Sequence, residues 1–340
     1  MTGAPLTGTV VVTWPTFRPD DPKTGGLLRE AGCTIELAPK LGARTPAEVG
    51  LIMRDAVAAI ASTDPFDATV FAAAPQLRVV ARTGVGTDSI DIDAATEAGV
   101  VIATTPGANE ETVADHALAL ILATIRRVVE HDASVRRGEW NRAGPLTPWH
   151  LHGKTVGIVG YGTIGRAVGR RLRGFGVEVL VCDPTLPPDS NVELDDLLAR
   201  SDVVSIHTPL NEQTTELIGA RELSLMRSEA ILVNTSRGGL VEETSLAEAL
   251  AGGRLRAAGL DVFEDEPPAF SRLLEMPNVV LSPHVGGLSA GSIDDMVTMA
   301  THAVIQVLSG GSPEGVVNPE AFERRRELDA EAAAAAEGTS

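Results

Sequence analysis

A glycine-rich turn offers the first legible chemistry. Residues 154–159 form a short, apolar, β-branched run, and Gly160-Tyr161-Gly162-Thr163-Ile164-Gly165 follows it. An alternating apolar and basic stretch, 164–173, then reads as a helix, and a second strand-like run, 177–182, ends in Asp183. Glycines at this spacing alone make ordinary turns. With a strand before them, a helix after them and an acid about 20 residues on, they fit the phosphate-binding turn of a dinucleotide site. Gly160 permits the tight turn, Gly162 lets the backbone approach a pyrophosphate, and Gly165 lets helix and strand pack closely. Unpaired N–H groups at the helix start, with the positive end of its dipole, favour the phosphates. Asp183 then accepts hydrogen bonds from ribose hydroxyls and repels a 2′-phosphate. Pro184 brings no cation to hold such a phosphate, so the expected cofactor is NAD rather than NADP. The plain alternative is a turn between strand and helix that binds nothing.

A second set of residues falls at strand ends. Arg237 follows the strand-like run 230–235, Glu266 follows 256–262, and His284 follows 278–282. In a parallel sheet these positions share one edge, the carboxyl ends, where ligands of doubly wound folds bind. Each residue taken singly has a bland reading. Arg237 could cap carbonyls, Glu266 could be a solvated acid within Glu264-Asp265-Glu266, and His284 could be structural. A cation, a carboxylate and an imidazole placed together at one edge read instead as an acid/base site. The other histidines (His116, His131, His150, His152, His207 and His302) show no ligand spacing with cysteine or acids, so no metal is expected.

The elements that position these residues alternate between strand and helix. Before residue 105, strands are expected at 9–13, 33–37, 77–81 and 100–103, with helical periodicity clearest at 47–61 and 92–98. Such alternation implies a mostly parallel sheet covered on both faces. The loop Gly84-Val85-Gly86 follows a strand; its glycines either turn the chain or offer N–H groups to a small anion. Asn109 can cap one long helix running to about Arg137, with Glu110 and Glu111 in its first turn. After Asp183, strands are expected at 203–207, 230–235, 256–262 and 278–282, with helices at 192–200, 220–226, 242–251 and 290–308. The tail from Glu323 onward is alanine-rich and reads as frayed helix or disorder.

Bulk properties narrow the partners. A chain of 340 residues can hold two domains with their own cores. Its net charge of −18 disfavours nucleic acid and anionic membranes, which recruit basic patches. Trp14, Trp140 and Trp149 are too scattered for a base-stacking platform, and Trp14, at a strand end, could line a substrate cleft. Cys33 and Cys182 form no C-x-x-C pair, which fits a reducing cytoplasm. No signal segment is visible, and the longest apolar helical run is too short to span a bilayer.

The motifs in order resemble the D-isomer-specific 2-hydroxyacid dehydrogenases, in the branch that includes phosphoglycerate dehydrogenase. They are Arg82-Thr83-Gly84-Val85-Gly86-Thr87-Asp88, the glycine turn, His207-Thr208-Pro209-Leu210, Asn234-Thr235-Ser236-Arg237-Gly238-Gly239, Gly259-Leu260-Asp261-Val262-Phe263-Glu264-Asp265-Glu266-Pro267 and Ser282-Pro283-His284-Val285-Gly286-Gly287. The resemblance reaches to about Pro319. It implies two doubly wound parallel-sheet domains: a discontinuous flavodoxin-like substrate domain (1–105 and 290–340) and a Rossmann NAD-binding domain (106–289), hinged near Thr105–Pro106 and at 287–291. It also implies that Arg237 grips the substrate carboxylate in a fixed fork. His284 becomes the general acid/base, an imidazole with its ordinary pKa near working pH, and Glu266 the residue that orients it. Val85 and Gly86 supply a second, backbone grip on the carboxylate. The implied cofactor set is Gly160, Gly162, Thr163, Ile164, Gly165, Asp183, His207, Thr208, Pro209, Thr214, Thr235 and Asp261, the last near the nicotinamide amide. The implied substrate is a small 2-hydroxy or 2-oxo acid, with 3-phosphoglycerate, hydroxypyruvate and glyoxylate as candidates, and the implied assembly is a homodimer. Phosphoglycerate enzymes can place a basic residue before the strand at 77–81; here Ala61-Ser62-Thr63-Asp64-Pro65-Phe66 has none, and Asp64 would repel a phosphate. The alternative is an NAD-sensing binding protein of the corepressor type, which shares the same motifs.

Overall fold

A computed structural model describes residues 7–40, 42–140, 142, 147–269 and 271–337. Two compact units divide the chain: one takes the residues up to Asn109 and from Ser289 onward, the other Glu110–Leu288.

The first unit begins β1 (Thr9–Val12), α1 (Leu27–Glu30, after a π-helical turn), β2 (Thr34–Leu37), α2 (Pro46–Met53), β3 (Ala56–Ala61), α3 (Ala68–Ala73), β4 (Val79–Arg82), α4 (Ile92–Glu97) and β5 (Val101–Ala103). The second holds α5 (Glu110–Arg126), α6 (Val128–Arg136), β6 (Thr155–Val159), α7 (Thr163–Leu172), β7 (Glu178–Cys182), α8 (Leu194–Arg200), β8 (Val203–Ile206), α9 (Ala220–Leu225), β9 (Ile231–Asn234), α10 (Glu243–Ala251), β10 (Ala257–Leu260) and β11 (Val279–Leu281). The chain then returns to the first unit as α11 (Ala290–Leu308) and α12 (Ala321–Glu337).

Each unit is built on one parallel sheet. The first has strand order β2-β1-β3-β4-β5, the flavodoxin-like order. The second runs β11-β10-β9-β8-β6-β7. Its order reverses at β6, because the chain leaves toward β7 on one side and resumes at β8 on the other. Both sheets are covered on both faces, so each unit has two apolar clusters, such as the Val10, Ile60 and Val304 side against the Val11, Met53 and Phe71 side in the first. The expected two-sheet α/β architecture is the one observed.

Several local expectations need correction or refinement. The helical reading of 47–61 merges two elements. A capping box of Thr45 and Glu48 starts α2, Pro46 occupies its first turn, and it ends at Met53. Residues 56–61 are a strand in which every residue is buried, lying between β1 and β4. A strand buried on both faces shows no polar alternation, and its four alanines imitate helix. The long helix is likewise two helices, α5 and α6, broken where Arg127 adopts a left-handed conformation (φ 53°). Asn109 does not cap it, since its Oδ1 is buried without a hydrogen-bond partner. The tail is helical as far as it is described. Arg325 anchors α12 by donating to the carbonyls of Leu77, Ala98 and Gly99, and Arg78 pairs with Asp329. Residues 338–340, and 143–146 of the loop before the glycine turn, lie outside the described residues. Finally, Trp14 is a core residue with Phe17 and Leu28, and its Nε1 is shielded. Among the described residues, no helix is long and apolar enough to cross a membrane.

Candidate active site

The glycine turn joins β6 to α7 at the point where the strand order of its sheet reverses, the usual ligand position in such folds. The three glycines have three separate reasons. Gly160 has φ +87°, and a Cβ there would lie 2.6 Å from the His207 carbonyl carbon and oxygen, so both conformation and space demand glycine. At Gly165 a Cβ would overlap the Gly160 carbonyl oxygen. Gly162 is different: its φ of −67° suits any residue and a Cβ would meet nothing within 4 Å. Nothing in the folded chain asks for glycine there, whereas a ligand lying against the backbone does. Gly162 is also the N-cap of α7 and supplies no side-chain cap, so the first-turn N–H groups of Thr163, Ile164 and Gly165 point out without a side-chain acceptor.

Asp183 closes the turn from the end of β7. Its Oδ2 accepts from Tyr161 N (2.6 Å), and its Oδ1 accepts from the Thr185 N–H and hydroxyl (2.8 and 2.7 Å). Burial raises the carboxyl's pKa, but the bonds from Thr185 and Tyr161, with Arg166 nearby, outweigh it and hold the group below its ordinary value. The residue is therefore an acceptor only, as a ribose partner must be. Cys182 beside it has its thiol pushed up by burial and by the charges of Glu193 and Asp183, an inert small side chain.

The loop after β8 faces the glycine turn through the His207 and Thr208 backbone. Its imidazole, however, turns inward: Nε2 meets Ser205 Oγ at 2.8 Å, Nδ1 is shielded and unpartnered, and burial pushes its pKa down to about 4. Thus His207 contributes backbone, not a ring, to this surface. Thr208 O accepts from Ser236 Oγ (2.6 Å) and Pro209 O from Thr214 Oγ1 (2.7 Å), which ties the loop after β8 to that after β9 and stiffens it internally. Thr235 Oγ1 is buried with no partner.

Arg237, Glu266 and His284 follow β9, β10 and β11, at one edge of the sheet. Asn234 Nδ2 holds the Arg237 carbonyl (2.7 Å), and Arg237 Nη1 donates to Ser236 O (2.7 Å). Glu266 Oε2 lies 2.6 Å from His284 Nδ1, while its Oε1 accepts from Phe263 N at 3.2 Å. A carboxylate only accepts, so Nδ1 carries a proton and Nε2 is the nitrogen left for chemistry. His284 itself has φ 53°, a left-handed conformation uncommon outside glycine.

Asp261 is 1% exposed and accepts from Ser282 Oγ (2.6 Å), Val285 N (3.0 Å), Gly286 N (2.7 Å) and His116 Nε2 (3.2 Å). Burial raises its pKa, and these donors, His116 first, lower it further than burial raises it. Local reading offers no hint of His116, which lies on α5 while its partners Asp261 and Ser282 follow β10 and β11. Another pairing invisible to local reading is in the first unit. Asp64 is not a free negative charge: it is buried, bonded to Thr13 Oγ1 and ion-paired with Arg44. Val85 and Gly86 sit in the loop after β4, where Gly84 N donates to Thr105 Oγ1 (2.9 Å) and Val85 is 41% exposed. Among the described residues there is no group of three His, Cys, Asp or Glu that could hold a metal.

A glycine turn, an acceptor-only carboxylate and a carboxylate-bound imidazole lie along one sheet edge, an arrangement that suits an oxidoreductase working with a nicotinamide dinucleotide on a CH–OH group. Residues 118–286 match the family described as D-isomer specific 2-hydroxyacid dehydrogenase, NAD binding domain. A glyoxylate reductase of Korarchaeum cryptofilum is 44% identical over 279 residues, 77% of this chain and 82% of that protein. A D-3-phosphoglycerate dehydrogenase of Mycobacterium bovis is 42% identical over 82% of this chain, which spans 53% of that longer protein. The solved NADPH-dependent glyoxylate/hydroxypyruvate reductase of Sinorhizobium meliloti is 32% identical, with a TM-score of 0.80 over 92% of this chain and 97% of that one. The chain belongs to the D-isomer specific 2-hydroxyacid dehydrogenase family.

Proposed function

We propose that this chain is an NAD-dependent D-2-hydroxyacid dehydrogenase whose substrate is a small, unphosphorylated 2-oxo acid such as glyoxylate or hydroxypyruvate. The observation that carries the reading is the His284 Nδ1 contact with Glu266 at 2.6 Å, which leaves Nε2 to give or take one proton. In reduction, Nε2 of a protonated His284 delivers its proton to the oxygen on C2, and in oxidation it takes that proton back. Glu266 keeps the ring turned so that Nε2, not Nδ1, faces outward. Arg237 grips the substrate carboxylate and draws charge from the 2-oxo group, which makes C2 a better hydride acceptor. The nicotinamide, when bound, supplies or accepts the hydride at C2.

Asp183 supports NAD over NADP: its carboxylate is ionised and no cation follows it at Pro184. The Arg44–Asp64 pair supports an unphosphorylated substrate, because the arginine that reaches Asp64 is already neutralised by it. A homodimer is supported by apolar side chains left exposed on and after α6, namely Val128, Val129, Val135 and Trp140. The free cysteines Cys33 and Cys182 suit a reducing cytoplasm. The test is a panel of glyoxylate, hydroxypyruvate, pyruvate and phosphohydroxypyruvate with NADH and NADPH between pH 6 and 9. Absence of turnover throughout removes the proposal, and preference for the phosphorylated acid removes the Arg44–Asp64 argument. Light scattering of the purified protein reads the assembly.

A further inference from the structure

His284 is an L-residue in a left-handed conformation, so its surroundings must hold it there. What holds it is Asp261. Three successive N–H groups of the loop after β11 converge on that one residue: His284 N on its carbonyl (2.7 Å), Val285 N on Oδ1 (3.0 Å) and Gly286 N on Oδ2 (2.7 Å). The loop is thus moulded on Asp261, and the direction of the Asp261 carboxylate sets the direction of the His284 ring.

The carboxylate is aimed in turn by Ser282 and His116. Ser282 Oγ lies 2.6 Å from Asp261 Oδ1 and 2.8 Å from His116 Nε2. The serine has one proton, and the Asp261 carboxylate, held below its ordinary pKa, can only accept it. Ser282 Oγ must therefore accept from His116, so Nε2 of His116 carries a proton and is shared with Asp261 Oδ1 at 3.2 Å. Gly286 makes room for this arrangement: a Cβ there would lie 2.7 Å from Asp261 Oδ2 and 3.3 Å from His116 Cδ2. The helix that carries His116 is braced to the dinucleotide helix, since Glu111 and Asp115 of α5 accept from Arg170 and Arg171 of α7.

We infer that His116 is a positioning residue for the acid/base step: through Ser282 and Asp261 it fixes the loop that presents His284 to Glu266. The inference rests on the acid/base role proposed for His284. It says that α5 serves as the common frame for the glycine-turn helix and the acid/base loop. The proton inventory also names the feature that matters, an N–H at the Nε2 position, which separates a hydrogen-bonding role from mere packing.

The test compares His116→Leu, which keeps bulk and removes the donor, with His116→Gln, whose amide N–H reaches a similar place. Displacing a reacting group by about 1 Å costs up to about 100-fold in rate. We expect His116→Leu to lower kcat at least tenfold with KM for the 2-oxo acid within about twofold, and His116→Gln to recover most of kcat. In the protein without substrate, amide hydrogen exchange of peptides covering 282–288 should quicken in His116→Leu and return toward wild type in His116→Gln. Unchanged kcat and exchange in His116→Leu overturn the inference, and so does a His116→Gln as impaired as His116→Leu, which would mean that ring packing alone matters. Should wild type turn over no 2-oxo acid, the functional proposal fails and the exchange comparison still decides whether His116 holds the loop.

Discussion

The sharpest perturbation of the cofactor site is Gly162→Ala. The backbone there has φ −67° and ψ −156°, which alanine adopts, and the new methyl meets nothing within 4 Å. Alanine stiffens the unfolded chain, stabilising by about 0.4–1 kcal/mol, and is a poorer N-cap than glycine by a similar amount. The net change in folding stability is therefore within about 1 kcal/mol. Binding should respond quite differently. A methyl extends about 1.5 Å from Cα, and a phosphate pushed back that far leaves the range of about 3.2 Å in which N–H groups bond it. Loss of about two charge-assisted hydrogen bonds at about 1.5 kcal/mol each is about 3 kcal/mol, or roughly 100-fold in Kd. The control is Gly160→Ala, where φ is +87° and the methyl would lie 2.6 Å from the His207 carbonyl, so folding and binding should both suffer. Calorimetric titration with NADH and thermal unfolding of both variants read these outcomes. An NADH Kd for Gly162→Ala within twofold of wild type would refute a phosphate lying against Gly162; a loss of Tm equal to that of Gly160→Ala would refute the free space.

Other consequences can be measured on the same protein. His284→Ala should lose about 10²–10⁴-fold in kcat while NADH titration is preserved, and an unchanged kcat would sink its acid/base role. Asp183→Ala should weaken NAD relative to NADP, and an unaltered ratio of the two Kd values would refute the ribose contact. His207, with its pKa pushed from 6.5 to about 4, should make the second unit acid-sensitive. Above about pH 6.5 the ring is neutral in both states; as pH falls toward 4 the unfolded chain takes a proton the buried ring refuses, a loss of about 3 kcal/mol in full and about 2 kcal/mol by pH 5. Denaturant unfolding of wild type and His207→Gln at pH 7 and pH 5 should differ by that amount, and equal pH dependence would contradict it.

What could be read from the sequence was what depends on near neighbours. The glycine turn is such a case, since Gly160, Gly162 and Gly165 and the acid ending β7 lie within one βαβ unit. The strand ends carrying Arg237, Glu266 and His284 were equally legible, because strand, turn and functional residue adjoin in the chain. By contrast, β3 was hidden by its central place in the sheet. Residues 56–61, Ala-Val-Ala-Ala-Ile-Ala, are buried on both faces and carry neither alternation nor a breaker after Met53. The break at Arg127 has no glycine or proline to announce it, and the two arginines 126–127 look like any solvated helix face. Asp64 was misread as a bare charge because its partner, Arg44, arrives from the loop after β2.

A deeper reason separates the two groups. Strand ends fix where a side chain starts, but acid/base chemistry depends on where it points, and pointing is settled between loops. The loop after β9 is tied to that after β8 by Ser236 Oγ on Thr208 O, and Gly238 lets its backbone lie against the Phe263 carbonyl of the loop after β10. Phe263 N in turn holds Glu266, Glu266 holds His284 Nδ1, and Asp261 moulds the loop on which His284 stands. Apart from the Phe263–Glu266 bond, each brace joins residues that follow different strands and leaves no spacing signature, yet together they turn four separate turns into one surface. Along this edge, glycine and short polar side chains are therefore as much a part of the chemistry as the arginine, glutamate and histidine they aim. A swap of Gly238, Ser282 or Gly286 for a larger residue would leave Arg237, Glu266 and His284 in place and still disturb the loops that aim them.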